Sequence, residues 1–167
     1  MKEEYVNSFL TPAKYVWEKA LGEELVVVGT DLVSNQFTSD DVTAIIGVSG
    51  SLEGNVLYGF SGGTAHAVVS RMLGEEVKTI SDEIGLSALG EIANMITGNA
   101  ATRLSQLGYP CNISPPVIIE PSGSRFTTVG GPQIRVSFSS ALGFSSFASC
   151  SSRSRSGIKG TIPKQTR

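Results

Sequence analysis

The sequence has few residues suited to metal binding or covalent catalysis. Two cysteines, Cys111 and Cys150, lie too far apart to suggest a disulfide framework or a metal centre. One histidine, His66, sits in an amphipathic stretch and reads as a packing or surface residue, which argues against zinc and Ser–His or Cys–His chemistry. No apolar run approaches the roughly 18 residues of a membrane span, and no signal-peptide pattern follows the acidic N-terminus, so a cytoplasmic chain without membrane insertion is expected. A net charge of −2 argues against nucleic acid. Acidic residues also stop early: all 15 lie at or before Glu120, and from Arg125 onward every charged residue is basic.

Within those limits the chain is long enough, at 167 residues, to bury one core. Val6, Phe9, Leu10, Ala13, Val16, Trp17, Ala20 and Leu21 follow helical spacing, with Pro12 either kinking the helix or starting a fresh one. Strand-like runs are expected at 25–33, 42–48 and 55–60, then a short helix capped by Ser61 and closed by Gly74. A long helix should run from about Asp82 to Leu107 with Ser81 as its cap. Strands are expected at 115–120, 125–129 and 133–138. This order predicts an α+β fold, a mainly antiparallel sheet with long helices packed on one face.

Plotted at about 100° per residue, the long helix puts Leu86, Leu89, Ala93, Ile96, Ala100, Leu104 and Leu107 on one stripe, the expected core face. Ser87, Glu91, Asn94, Gly98, Ala101 and Ser105 fall opposite. Exposed helix faces usually carry Lys, Glu, Gln or Arg, whereas this one has a single charge and an amide among very small residues. Gly90 and Gly98 each cost about 1 kcal/mol relative to alanine, and small residues on an open face let a partner's backbone approach. Glu91 and Asn94 then stand one turn apart, an acceptor for a cation beside a planar amide able to orient a water. Spacing alone leaves another reading open, in which the glycines serve helix packing and the polar pair is ordinary surface.

The stretch Ser87-Ala88-Leu89-Gly90-Glu91-Ile92-Ala93-Asn94-Met95-Ile96-Thr97-Gly98 resembles the signature of the CheX/CheC/FliY phosphatases. That signature has Asp or Ser, three residues, Glu, two residues, Asn, and a proline about 22 residues later. Pro115 or Pro116 meets the last requirement. The resemblance takes in Val6-Asn7, the Gly50-Ser51-Leu52-Glu53-Gly54 turn before Val56-Leu57-Tyr58, and Ile113-Ser114-Pro115-Pro116. It runs over roughly residues 2–138 and is closest to the CheX branch.

The resemblance implies an internal pseudo-repeat and a phosphatase acting on the phosphoaspartate of a CheY-like response regulator in chemotaxis. Asn94 would orient the attacking water and Glu91 would pair with the regulator's lysine, with Ser87, Gly90, Gly98, Pro115 and Pro116 at the partner surface. No cofactor or metal would be bound by this chain, Mg²⁺ coming from the regulator, and homodimers can form through the sheet. The alternative is a non-catalytic module that docks a regulator or flagellar switch component. Glu4 and Asn7 repeat the spacing on the first helix, but bulky Phe9, Leu10 and Thr11-Pro12 follow where small residues would be needed.

The resemblance ends at Phe138. Residues 1–138 are therefore expected to form the phosphatase-like domain. Residues 139–167, serine-rich and then basic, read as a disordered extension or as the product of a frameshift near Leu142 or Gly143.

Overall fold

The computed structural model describes residues 3–34, 36–120, 123–127 and 133–149. In chain order the elements are α1 (Glu3–Leu21), β1 (Val26–Val33), β2 (Gln36–Thr38), β3 (Val42–Gly50), β4 (Gly54–Phe60), α2 (Gly62–Leu73), α3 (Glu83–Gln106), β5 (Cys111–Ile113), β6 (Val117–Ile119), β7 (Arg125–Thr127), β8 (Gln133–Ser140) and β9 (Gly143–Ser149). α1 runs unbroken through the buried Pro12. Gly22, with φ of 70°, returns its N–H to the Glu18 carbonyl and ends the helix. Ser61 caps α2 and Gly74 closes it in the left-handed conformation, as the sequence predicts. The cap of α3 is Asp82, whose Oδ1 accepts from Gly85 N at 2.7 Å, rather than Ser81. Ser81 Oγ instead donates to Glu120 Oε1 at 2.9 Å.

Seven strands form one antiparallel sheet in the order β1-β8-β9-β4-β3-β5, with β6 also pairing β3, further along it than β5; β2 and β7 make a separate two-stranded ribbon. Strand alternation sends Ala44, Ile46, Val56, Tyr58, Phe60, Val136, Phe138 and Phe147 into one core with the apolar faces of all three helices. The architecture is thus α+β with the helices on one face. No helix among the described residues is long and apolar enough to cross a membrane.

The sheet continues past the boundary expected at Phe138. β8 reaches Ser140, a tight turn closes with Ser140 opposite Gly143, and β9 returns between β8 and β4 in the middle of the sheet. Phe147 is 3% exposed and stacks its ring 5.5 Å from Phe9 and 5.6 Å from Tyr58. Its neighbours are serines that the sheet uses. Ser145 is buried, and Ser146 Oγ donates to Asp40 Oδ2 at 2.8 Å over Gly59, where a Cβ would collide with that carboxylate. A serine-rich strand was therefore indistinguishable from a tail by composition. Residues 150–167, on which the rest of the expected extension falls, lie outside the described residues.

α3 is fastened to the sheet by a buried polar pair. Tyr58 and Thr97 hydroxyls lie 2.7 Å apart, and Thr97 Oγ1 also donates to the Ala93 carbonyl at 2.8 Å. With the threonine proton directed to Ala93, the tyrosine is the donor between them. Burial pushes the Tyr58 phenol far above its ordinary pKa of 10.0. Thr97→Val, nearly isosteric, should strand the tyrosine hydroxyl and cost about 1–3 kcal/mol in urea unfolding. Tyr58→Phe should cost less, about 1 kcal/mol. The folded phenol holds its proton more tightly than the unfolded one, so Tyr58 contributes stability below pH 10 that is lost as pH rises beyond it. Unfolding midpoints followed upward from pH 9 should fall faster in the wild type than in Tyr58→Phe.

Candidate functional site

α3 buries Leu89, Ile92, Ala93, Ile96, Ala100 and Leu104, and this fixes which side chains point away from the sheet. Ser87 and Glu91 are exposed, as the helical wheel places them, whereas Asn94 and Gly98 of the same stripe are half-buried. The wheel errs at the rim: Leu107 is 50% exposed, because the helix ends at Gln106 and Leu107 serves as its C-cap.

Some polar side chains of α3 bond the helix backbone. Asn99 Nδ2 donates to the Met95 carbonyl at 2.8 Å and Thr102 Oγ1 to the Gly98 carbonyl at 3.1 Å. Glu91 and Asn94 do not; among the described residues neither side chain has a hydrogen bond or ion pair. Their Cβ atoms stand about 5–6 Å apart as i and i+3 neighbours. The pair therefore offers a carboxylate, an amide N–H₂ and an amide oxygen, all available to an outside molecule.

One wall of the site is built by Ser114, Pro115 and Pro116. β5 pairs with Val48–Gly50 and β6 with Thr43–Ile45, so the three residues between them bulge from the sheet edge. Proline lacks the N–H that a continuous strand would need, which is why β6 starts at Val117 and not at Pro115. Ser114 anchors the bulge: its N–H reaches the Gly47 carbonyl at 2.9 Å, and its Oγ accepts from Gly47 N at 2.8 Å and donates to the Pro115 carbonyl at 3.0 Å. Pro116 then lies against α3, and a Cβ at Gly90 would meet its Cγ at 3.1 Å.

That contact corrects the expected role of Gly90. It is buried, not open to a partner, and its missing side chain is what lets Pro116 settle against the helix one turn before Asn94. Gly98 has more room, its nearest neighbour being Ile113 Cδ1 at 3.9 Å. Pro115 is exposed and Pro116 half-buried. Sequence reasoning missed Ser114 as the residue holding the wall, although its place before two prolines marked a strand break.

The remaining candidates stand apart from this surface. Glu4 Oε1 accepts from Tyr109 Oη at 3.1 Å, a strut between α1 and the end of α3. His66 Nε2 bonds the Val77 carbonyl at 2.6 Å, tying α2 to the following loop. Among the described residues no three of His, Cys, Asp and Glu group together as a metal site.

Residues 42–139, more than half of the chain, match the family described as chemotaxis phosphatase CheX. The CheY-P phosphatase CheX of Thermotoga maritima is 32% identical over 130 residues, covering 78% of this chain and 84% of that protein. The chemotaxis protein CheX of Desulfovibrio desulfuricans superposes with a TM-score of 0.79 at 28% identity, over 88% of this chain and 98% of that one. The chemotaxis protein CheX of Vibrio vulnificus gives 0.78 at 28% identity, with the same coverage.

The glycines of α3 should respond unequally to alanine. Gly98→Ala places its methyl in ordinary contact and removes a helix-weakening residue, so stability should rise by up to about 1 kcal/mol. Gly85→Ala puts a Cβ 2.5 Å from the Ile80 carbonyl oxygen, and this backbone collision should outweigh the same gain. Urea titrations of the two variants should move in opposite directions from the wild type.

Proposed function

The chain belongs to the CheX family of chemotaxis phosphatases, and from that premise we propose that it dephosphorylates a CheY-like response regulator, with Asn94 and Glu91 as the working pair. The observation that carries the proposal is the unpartnered Glu91–Asn94 face, walled by Pro116 and kept low by small residues. Hydrolysis of an aspartyl phosphate needs positioning and charge stabilisation more than covalent help. Asn94 reaches the regulator's phosphoaspartate and holds a water for in-line attack, its amide oxygen accepting one water proton. The water oxygen bonds to phosphorus, the phosphorus–oxygen bond to the aspartate breaks, and inorganic phosphate leaves with the water's protons. Glu91 pairs with the regulator's active-site lysine and sets the register between the two proteins. Ser87, Pro115, Pro116 and Gly98 border the contact. Mg²⁺ belongs to the regulator's acidic pocket, where hard oxygen ligands are gathered. Its substrate being an intracellular signalling protein, the phosphatase works in the cytoplasm.

Decay of phosphorylated CheY, followed by phosphate release, should accelerate in the presence of the wild-type protein. Asn94→Ala should lower that acceleration on the order of 100-fold while binding is retained, the scale set by removing one preorganised hydrogen-bonding group at a reacting centre. Glu91→Ala should also weaken binding, by about ten-fold. Measurable binding with unchanged decay would make this chain a docking module instead.

A homodimer is proposed on separate grounds. Among the described residues β1 pairs only with β8, and Val26, Val28 and Leu32 on this edge strand are 46%, 55% and 74% exposed. An uncovered apolar edge favours strand addition by a second copy. Sedimentation should show a dimer at micromolar concentration that Val28→Lys returns to monomer; a monomeric wild type would refute the edge contact.

A further inference from the structure

The open stripe of α3 begins before Ser87. Ile84 lies about 20° around the helix from Glu91 and about 10 Å ahead of it along the axis. Its side chain is 63% exposed, while Leu89, Ile92, Ile96 and Leu104 of the same helix are buried. A β-branched residue is also a weaker helix former than the Lys or Glu usual on an exposed turn.

The turn that displays Ile84 is held from several sides. Asp82 caps it through Gly85 N, Gly85 admits the Ile80 backbone so closely that a methyl would collide, and Ser81 bonds Glu120 beyond β6. An apolar side chain on a fixed backbone loses little entropy when a partner covers it. Along the same face Glu91 is the one charge between Ile84 and Gly98.

We infer that Ile84 is an apolar anchor for the phosphorylated regulator, seated on an apolar patch beside its acidic phosphorylation pocket. This rests on the phosphatase reading above. Asn94 is about 15 Å from Ile84 along the helix. A standard interface of roughly 800 Å² per partner is about 30 Å across, so one centred on Asn94 reaches Ile84. The anchor separates two tasks on one helix: Asn94 acts on the reacting atoms, and Ile84 adds affinity without touching them.

The test uses the full chain and CheY loaded with beryllofluoride and Mg²⁺ as a stable phosphoaspartate mimic. Ile84→Ser should raise the dissociation constant by about ten-fold, as expected for losing one buried aliphatic side chain, and Ile84→Leu should stay within about two-fold of wild type. In turnover with phosphorylated CheY, Ile84→Ser should raise KM with kcat at saturation unchanged. Unchanged affinity in Ile84→Ser, beside a wild type that binds and hydrolyses, overturns the anchor and leaves the phosphatase reading standing. A fall in kcat matching lost folded protein, with KM unchanged, assigns the residue to stability and overturns the anchor as well. A wild type that binds the loaded regulator without hastening decay refutes the phosphatase reading alone, since the affinity comparison still decides the anchor. A wild type that does neither refutes both.

Discussion

The burial of α3 against the sheet is the constraint on which the rest depends. Leu89, Ala93, Ile96, Ala100 and Leu104 lie along one side of a helix that can satisfy them in only one rotational setting. A roll of one residue, about 100°, would expose several of these side chains and bury Glu91. The Tyr58–Thr97 pair narrows the setting further, because a hydroxyl contact depends on distance and direction where apolar packing does not. Core packing therefore determines where Glu91 and Asn94 point, and the site needs no local network to hold it. This suits a surface that must be presented to another protein with its polar atoms uncommitted.

The second constraint comes from the sheet edge. Strand pairing along β3 is broken between Ile45 and Val48, and the Ser114–Pro115–Pro116 bulge that spans the gap leans on the helix at Gly90. Two departures from regular structure thus fit each other. A glycine that weakens the helix makes room for prolines that interrupt the strand. Neither has a clear reason in its own element, and together they set a rigid wall beside the two polar side chains. The helical glycines consequently divide in function: Gly85 accepts a backbone, Gly90 accepts a proline ring, and Gly98 leaves the surface low.

The legible parts of the sequence were those with strong periodicity. α3 and its open face followed from spacing, because five buried positions, Leu89, Ala93, Ile96, Ala100 and Leu104, repeat at three and four residues. β3, β4 and the caps at Ser61 and Gly74 were marked by β-branched runs and turn chemistry. Gly90 was misplaced because a wheel describes one helix and carries no information about a proline 26 positions later. β2 and β5 were missed because three residues are too short to show a period, whereas the equally short β6 and β7 lay within longer β-rich runs. The residue roles came from resemblance, since a Glu and an Asn at i and i+3 are common on any surface.

β9 shows why composition fails where tertiary context decides. Gly143–Ser149 would be a solvated segment if it were alone, with Phe147 its one described large apolar side chain. Placed between β4 and β8 it becomes a central strand, its backbone paired on both sides and Phe147 packed against Phe9 and Tyr58. Small serines fit there because the helices press closely on that part of the sheet: Gly143 approaches Thr64 of α2, and Phe147 fills the space beneath Phe9 of α1. The strand also completes the bed under Tyr58, the residue that sets the roll of α3. The geometry of Glu91 and Asn94 thus depends on a segment more than 50 positions downstream that carries no trace of the site in its own sequence.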